Sequence, residues 1–423
     1  MNLAIIHCRI IERHNHMHVF NNVTSATRTI RMVASILVVL IIASCASEPI
    51  RNPVPHELQD AAQVVDMPGI RVWGDGGDDL LHADIVQSIH DEPEGLFPRG
   101  PNGEYQYSGL ALSGGGDHGA FGAGFLKGWS QSGTRPVFKI VTGISTGALI
   151  APFAMLGSAY DGTLQKAYTS ITVDSVMKKR SIASAYWRES LVDNHPLQEM
   201  VREVISNDVI DAIGMAHKKG QRLFIATTNF DAQRPVIWNM GAVANSKHPD
   251  AYSFFRNILI ASTSIPVLFP PTFVEVEADG KTYEEMHVDG GTVGQIFFYG
   301  SSLDWQAALR DASGIENPID QSILYAIIDG EVDPEHEAVR RRLMPITDRT
   351  IKTLIKVSAW SALYRMYMHA QVGGYDFNFV GLPDDYEPQN KQPYDPAEMS
   401  RMFEIGYGMG LKGEGWQSVP PGF

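Results

Sequence analysis

Residues Gly143-Ile144-Ser145-Thr146-Gly147 set a serine in the pattern Gly-x-Ser-x-Gly. The pentapeptide follows an apolar run at 137–142 and precedes an apolar helical stretch through Leu156, so it joins a predicted strand to a predicted helix. A sharp turn there exposes the serine hydroxyl, and glycines are needed because side chains would clash. The same pattern also occurs in ordinary turns. It therefore makes Ser145 a candidate nucleophile, supported by Gly143 and Gly147, and leaves a plain turn open.

A glycine-rich loop, Gly114-Gly115-Gly116-Asp117-His118-Gly119, lies at another predicted strand-to-helix junction. Consecutive glycines let backbone N–H groups converge beside a helix N-terminus, which is the requirement for holding an anion or a developing oxyanion. Gly114, Gly115 and Gly116 are therefore candidate oxyanion-hole residues.

The same loop also satisfies Gly-x-Gly-x-x-Gly, the pattern of dinucleotide sites. That alternative requires an acidic residue about 20 positions later to bind the ribose. Residues 118–160 contain no Asp or Glu, which counts against an NAD site. Arg135 or Lys139 leave an NADP site open.

Asp289-Gly290-Gly291 directly follows a predicted hairpin strand that ends at Val288. Asp-Gly is a common turn sequence, so the tripeptide in isolation favours a simple turn.

The elements between these sites alternate strand, glycine turn and helix, which predicts an α/β domain with a parallel βαβ sheet. The chain has 423 residues, 44% hydrophobic and 19% charged, which is typical of a globular protein. Its net charge of −14 and lack of clustered Lys and Arg argue against nucleic-acid binding. The two cysteines, Cys8 and Cys45, exclude a disulfide scaffold and a thiolate zinc site. Strands are predicted at 109–112, 137–142, 222–228, 235–239, 273–277, 282–288 and 322–328, with a hairpin turn at Asp279-Gly280.

The N-terminus has the features of a targeting segment. Arg28 and Arg31 precede 13 apolar residues at 32–44, too few to span a membrane and typical of a signal-peptide core. Ile42-Ala43-Ser44-Cys45 resembles a bacterial lipobox, which predicts a lipoprotein signal at 1–44 and a lipidated Cys45. An ordinary signal peptide or a buried helix that ends in Cys is the alternative. Ala46 favours the outer membrane by analogy with such lipoproteins, and the polar, proline-containing stretch 45–105 is predicted to be a tether.

Taken together in chain order, the three glycine-rich sites resemble the patatin-like phospholipase family. Segments 191–197, 223–228 and 257–266 also resemble that family, so the likeness covers about residues 107–294. It implies a three-layer α/β/α fold with a mainly parallel sheet, Ser145 as nucleophile and Asp289 as its base. It also implies an acyl-enzyme, a phospholipid or lysophospholipid substrate, and neither a metal nor another cofactor.

One residue departs from the family pattern. His118 stands where the family usually has Arg or Lys, so a permanent charge is replaced by one that depends on pH. His118 either helps to hold an anion or only packs in the loop, and the sequence leaves both open. Gly119, Gly290 and Gly291 are expected to support the motifs.

Two other functions stay open at this stage. An α/β-hydrolase triad needs a histidine after the acid, and only His336 and His369 follow Asp289. An inert lipoprotein scaffold is the other alternative.

The predicted organisation is a catalytic core at 106–300 and a completing region at 301–423. In that region 351–370 is expected to be a helix, packed in the core or facing lipid, and Asp395 is expected to begin a closing helix. The acidity of the whole chain predicts no electrostatic attraction to anionic head groups and hence a need for the lipid anchor. The sequence does not indicate an oligomeric state.

Overall fold

The computed structural model describes residues 51–76, 79–181, 188–298, 304–332 and 336–422. The predicted signal segment and Cys45 lie outside these residues. Within the described part, ten strands form one sheet and two short strands form a separate ribbon. The strands are β1 Gln63–Val64, β2 Arg71–Trp73, β3 Ser108–Leu112, β4 Phe138–Gly143, β5 Lys178–Lys179, β6 Val192–Asp193, β7 Arg222–Asn229, β8 Arg234–Asn239, β9 Thr272–Ala278, β10 Lys281–Asp289, β11 Ile323–Glu331 and β12 Asp376–Leu382.

The centre of the sheet is parallel, in the order β7, β4, β3, β11, β12. Antiparallel strands extend it beyond β7: β10, β9 and β1 follow in one arm, and β8 and β2 form another. Each predicted strand is present to within a few residues, as is the turn at Asp279 and Gly280. The α/β prediction is thus confirmed, and the C-terminal strands β11 and β12 complete the parallel centre.

Helices cover both faces of this sheet. Leu110, Leu112 and Val141 point into a cluster with α2, α3 and α12, whereas Ala111 and Ile140 face the opposite side. This alternation within buried parallel strands produces the expected three layers. The helices are α1 Asp79–His90, α2 Gly119–Gln131, α3 Thr146–Leu156, α4 Asp161–Ser170, α5 Val173–Val176, α6 His195–Val204, α7 Asn207–Lys218, α8 Met240–Ala244, α9 Ala251–Ser262, α10 Trp305–Ser313, α11 Leu343–Gly373 and α12 Pro396–Lys412.

The tether prediction does not hold for residues 63–90. β1 pairs with β9, β2 pairs with β8, and α1 buries Leu81, Ile85 and Ile89 against the sheet. Those three residues recur every four positions, which is a helical spacing among polar residues. Residues Asn52–Phe423 accordingly form one compact unit.

Two C-terminal helices were anticipated in part. α11 is longer than the predicted 351–370, and α12 begins as expected, with the Asp395 side chain accepting from the amides of Ala397 and Glu398. α12 packs on α2 rather than directly on the sheet, because glycines of both helices let the backbones touch. No helix among the described residues combines the length and the apolar character that crossing a membrane requires.

Candidate active site

Ser145 lies in a strained turn between β4 and α3. Its φ is +53° and its ψ is −123°, a conformation that non-glycine residues rarely adopt. A Cβ at Gly147 would lie 2.5 Å from the carbonyl oxygens of Leu112 and Ser113, and one at Gly143 would lie 2.5 Å from the carbonyl of Gly147. The two glycines of the motif therefore let the turn fold tightly against the end of β3.

A second serine holds this turn. The Ser145 amide donates to Ser262 Oγ at 3.0 Å, and the Ser262 hydroxyl donates to the Ala226 carbonyl at 2.7 Å. Ser262 is fully buried at the end of α9, so its hydroxyl connects the nucleophile turn to β7. Sequence reasoning found the segment 257–266 by resemblance but did not identify this contact.

Asp289 is buried at the end of β10, and the next residue lies against the nucleophile turn, since a Cβ at Gly290 would lie 3.3 Å from Ile144 Cγ2. The Ser145 hydroxyl is close enough to the Asp289 carboxyl to lower its pKa. Asp289 Oδ1 accepts from the Gly291 amide at 2.7 Å, and the Asp289 amide donates to the Ser264 carbonyl at 2.9 Å. Burial raises the pKa of Asp289 to about 7, although the hydrogen bonds from Ser145 and Gly291 oppose this effect. Such a carboxylate can accept a proton near neutral pH, as a general base must.

The glycine-rich loop lies directly against the serine. A Cβ at Gly114 would lie 3.2 Å from the Cβ of Ser145. The Gly114 amide, however, donates to the Gln295 carbonyl at 2.9 Å, so the prediction that Gly114 donates to an oxyanion is wrong in this conformation. The candidate donors left in the loop are the amides of Gly115 and Gly116. Gly116 has a φ of +61°, which a glycine adopts without strain.

Gln295 connects the two loops, and sequence reasoning missed it. Its carbonyl accepts from Gly114 on one side, and its Nε2 donates to the Gly291 carbonyl at 3.0 Å on the other. Gln295 and its partner Gly114 are more than 180 residues apart in the sequence, and the only local indication of its role is its position four residues after Gly291. Gln295 therefore positions the glycine-rich loop relative to the Asp289 turn.

Asp329 forms a wall behind the loop and was also missed. Its amide donates to Ser113 Oγ at 2.8 Å, and its Oδ1 accepts from the Gly122 amide at 3.1 Å. Its Oδ2 is buried without a hydrogen-bond partner among the described residues. Burial raises the pKa of this carboxyl well above its usual range, which favours the neutral acid. A Cβ at Gly115 would lie 2.0 Å from the Asp329 carbonyl, so only glycine fits here.

Tyr394 approaches the same loop from the segment before α12. Its hydroxyl lies 3.8 Å from the position of a Cβ at Gly116, and its amide donates to Asp117 Oδ2 at 2.9 Å. Its φ of +56° is unusual for a tyrosine. Burial, together with the carboxylates of Asp117 and Asp289, raises the pKa of Tyr394, which places the phenol beside the site in its neutral form.

The remaining motif glycines permit close packing. A Cβ at Gly119 would lie 2.3 Å from Thr146 Oγ1, and one at Gly290 would lie 2.5 Å from the Ala226 carbonyl. Both contacts bring the motif loops against the nucleophile turn and β7.

The histidines singled out by the sequence occupy different places. His118 is half-buried in the glycine-rich loop, with its Nδ1 3.8 Å from the position of a Cβ at Gly330. His336 is exposed after β11. His369 lies near the end of α11 that leads to the amino end of β12, at the edge of the sheet opposite Ser145. No group of three or more His, Cys, Asp or Glu within the described ranges is arranged to hold a metal ion.

The cations that left an NADP site open are engaged in structural ion pairs. Arg135 Nη1 lies 3.0 Å from the Asp161 carboxylate, and Lys139 Nζ lies 2.6 Å from that of Glu92. Both side chains are nearly buried, and Lys139 lies near the amino end of β4. Neither cation is placed to bind a nucleotide phosphate at the glycine-rich loop.

Comparison with known proteins identifies a family that the part of the chain carrying this site resembles. Residues 110–298 match the family model described as patatin-like phospholipase. Among solved structures, VipD from Legionella pneumophila is similar, with 12% sequence identity, coverage of 77% of this chain and 70% of that chain, and a TM-score of 0.37. A structural likeness at that level supports no functional conclusion. A search of curated proteins found no match.

Proposed function

We propose that the protein hydrolyses lipid esters through a Ser145–Asp289 dyad, because residues 110–298 match the patatin-like phospholipase family. The substrates proposed are phospholipids or lysophospholipids. The observation that carries the proposal is the placement of the buried Asp289 carboxyl, whose pKa burial raises to about 7, beside the turn that holds Ser145.

The proposed reaction has two halves. Asp289 takes the proton of Ser145 as its oxygen attacks the ester carbonyl, and the amides of Gly115 and Gly116 stabilise the oxyanion. Collapse of the tetrahedral intermediate breaks the ester bond, and the proton from Asp289 passes to the departing alcohol. Asp289 then deprotonates water, which attacks the acyl-serine. Collapse of this second tetrahedral intermediate breaks the bond between the acyl group and Ser145 Oγ, the proton on Asp289 passes to that oxygen, and the fatty acid leaves.

The arrangement around the dyad supports these roles. Ser262, Gln295 and Asp329 fix the nucleophile turn and the glycine-rich loop from three directions. A site held this rigidly directs its donors to the developing charge without reorganisation. Its chemistry needs no metal and no imidazole between serine and carboxylate.

The test compares lipid products, by mass spectrometry of a mixed phospholipid extract incubated with purified variants. Ser145→Ala and Asp289→Asn should each abolish fatty-acid release, whereas the double variant His336→Ala/His369→Ala should retain it. Loss of activity in the histidine variant as well as in Ser145→Ala would favour a Ser-His-Asp triad. If the folded wild type releases no fatty acid from any lipid, the alternative of a catalytically inert scaffold would be supported instead.

Anchoring is a separate proposal that rests on the sequence alone. Signal cleavage before Cys45, acylation of its thiol and insertion in the outer membrane would hold the domain near its substrate. Mass spectrometry of the mature N-terminus should find a diacylglyceryl cysteine at position 45. A free thiol in the unfolded mature protein would contradict acylation.

A further inference from the structure

The first half of α11 extends beyond the body of the domain. Trp360 fixes the point of departure, since its indole nitrogen donates to the Val332 carbonyl just past the end of β11. None of the described side chains from Leu343 to Ser361 is buried. The buried side chains of the helix come later and pack on the sheet; they are Ala362, Leu363, Met366 and Ala370.

The projecting half lies on the same side of the sheet as the dyad. β11 is parallel to β3 and β4, so its end lies at the edge where the loops with Gly115 and Ser145 follow their strands. α11 then returns the chain from that edge to the start of β12. The roughly 17 residues before Trp360, about 25 Å of helix at 1.5 Å per residue, therefore stand past the carboxyl edge.

Apolar side chains cover the outer face of this segment. Leu343 is 78% exposed, Leu354 65%, Val357 51% and Ile346 50%. At about 100° per residue these four fall on one side of the helix, roughly opposite the side that Leu363, Met366 and Ala370 bury farther along. Ile351 and Ile355, 51% and 43% exposed, lie instead toward the buried side, so the projecting half exposes apolar side chains on both sides.

Basic residues accompany the apolar face. Residues 340–356 contain six Lys or Arg and one Asp, a local charge of +5 in a chain whose net charge is −14. Four acidic residues precede this segment at 331–337, and one of them, Glu337, pairs with Arg349 at 3.5 Å, so Arg340–Arg342 are the basic residues on which the proposal depends. Arg340, Arg341 and Arg342 are exposed immediately before the helix, which has no acidic residue in its first turn and no side-chain cap. Positive charge at a helix N-terminus opposes the helix dipole, so this arrangement does not serve the stability of the helix.

We propose that the projecting half of α11, together with Arg340–Arg342, docks on the surface of an anionic lipid bilayer. Its apolar side chains enter the boundary between head groups and acyl chains while the arginines bind lipid phosphates. Docking there turns the carboxyl edge of the sheet, and with it Ser145, toward the membrane. The biological purpose rests on the proposed lipid hydrolysis, whereas the docking itself requires no catalysis.

Charge complementarity selects this occupant. A second copy would present the same +5 segment to itself across a symmetric contact, and like charges would repel. An anionic bilayer instead attracts each basic residue close to its surface. The acidity of the whole chain, which predicted no attraction to anionic head groups, is therefore a poor guide to this one surface, and the statement that Lys and Arg are not clustered is wrong at Arg340–Arg342.

Binding is measured by co-sedimentation of the compact unit, residues 52–423, with lipid vesicles. The Ser145→Ala background prevents hydrolysis, and vesicles of equal parts phosphatidylethanolamine and phosphatidylglycerol are compared with phosphatidylcholine alone. The test variant is Leu343→Ser/Arg341→Gln/Arg342→Gln, and its matched control is Met215→Ser/Lys218→Gln/Lys219→Gln. Each variant loses one exposed apolar and two exposed basic side chains, and the control residues lie at the end of α7, before the amino end of β7.

The unmodified background should bind anionic vesicles and bind phosphatidylcholine much more weakly. The test variant should lose about 100-fold in partitioning, since each basic residue near an anionic surface contributes roughly fivefold and the leucine adds a similar factor. The control should bind like the background. With Ser145 restored, both variants should hydrolyse a soluble short-chain ester at the wild-type rate.

Docking is overturned if the background does not bind, binds both vesicles equally, or loses binding as much in the control as in the test variant. A dimer in sedimentation velocity that only the test variant dissolves would replace it with self-association. Absence of hydrolysis of the soluble ester by wild type would instead refute the proposed function and leave the vesicle result standing.

Discussion

Replacing Asp289 by Asn should remove activity and at the same time stabilise the fold above neutral pH. Burial raises the pKa of Asp289 from 3.8 to about 7. Between these values the folded protein binds a proton that the unfolded chain has released. The contribution of this proton to the free energy of unfolding is fully present below about pH 4 and is lost as the pH rises through about 7. The buried, charged carboxylate therefore lowers the free energy of unfolding at the pH where it serves as a base.

The size of the effect follows from the two pKa values. Each tenfold change in the acid dissociation constant corresponds to about 1.4 kcal/mol, so at about pH 8 the charged Asp289 costs the fold up to about 4 kcal/mol. Asn carries no charge at any pH and can still accept from the Gly291 amide through its oxygen. Asp289→Asn should thus raise the free energy of unfolding by a few kcal/mol at about pH 8 and by little near pH 4.

Urea unfolding followed by circular dichroism at both pH values measures this difference. Asp329 also has a raised pKa, but it is present in both proteins and its contribution cancels. Asp385→Asn, at an exposed position, is the matched control and should change stability little at either pH. A variant less stable than wild type at about pH 8, or a difference that does not change with pH, would refute the assignment of a buried carboxyl with a raised pKa.

Two further substitutions test the surroundings of the site. Gly115→Ala should lower the rate of ester hydrolysis roughly 100- to 1,000-fold, because the new Cβ would lie 2.0 Å from a backbone carbonyl and displace an oxyanion donor. The control Gly162→Ala, where nothing lies within 4 Å of the new Cβ, should keep the activity. Equal rates in the two variants would contradict the oxyanion role. Arg71→Met should cost about 3–5 kcal/mol in urea unfolding, because it leaves the buried Glu285 carboxylate without its arginine partner, and an unchanged midpoint would show that the pair is not needed.

The sequence was most informative where chemistry and local geometry coincide. Gly143, Ser145 and Gly147 reveal a tight turn because only glycine fits its close contacts, and the apolar runs on either side identify the strand and the helix. The register between strands then places Asp289 beside this turn, which the family resemblance anticipated and spacing alone did not.

Contacts distant in sequence were missed for a physical reason. Ser262, Gln295 and Asp329 are ordinary polar residues in their local sequence, and each becomes important only when tertiary structure sets it against a loop. The error at Gly114 has the same origin. A run of glycines shows that amides can converge, but not which of them another carbonyl has already taken.

Patterns that mixed apolar and polar residues were harder to interpret. The tether prediction gave weight to prolines and overlooked the spacing of Leu81, Ile85 and Ile89. In α11 the sequence showed an amphipathic helix without indicating that its first half leaves the domain, because burial depends on where β11 ends.

The most direct test of the dyad is the rate at which a fluorophosphonate probe labels Ser145 as a function of pH, with the labelled residue identified by mass spectrometry. With Asp289 as the base, the rate should rise about tenfold per pH unit below about 7, level off above it, and be lost in Asp289→Asn. Labelling at another residue, a rate independent of pH, or undiminished labelling in Asp289→Asn would contradict the Ser145–Asp289 dyad.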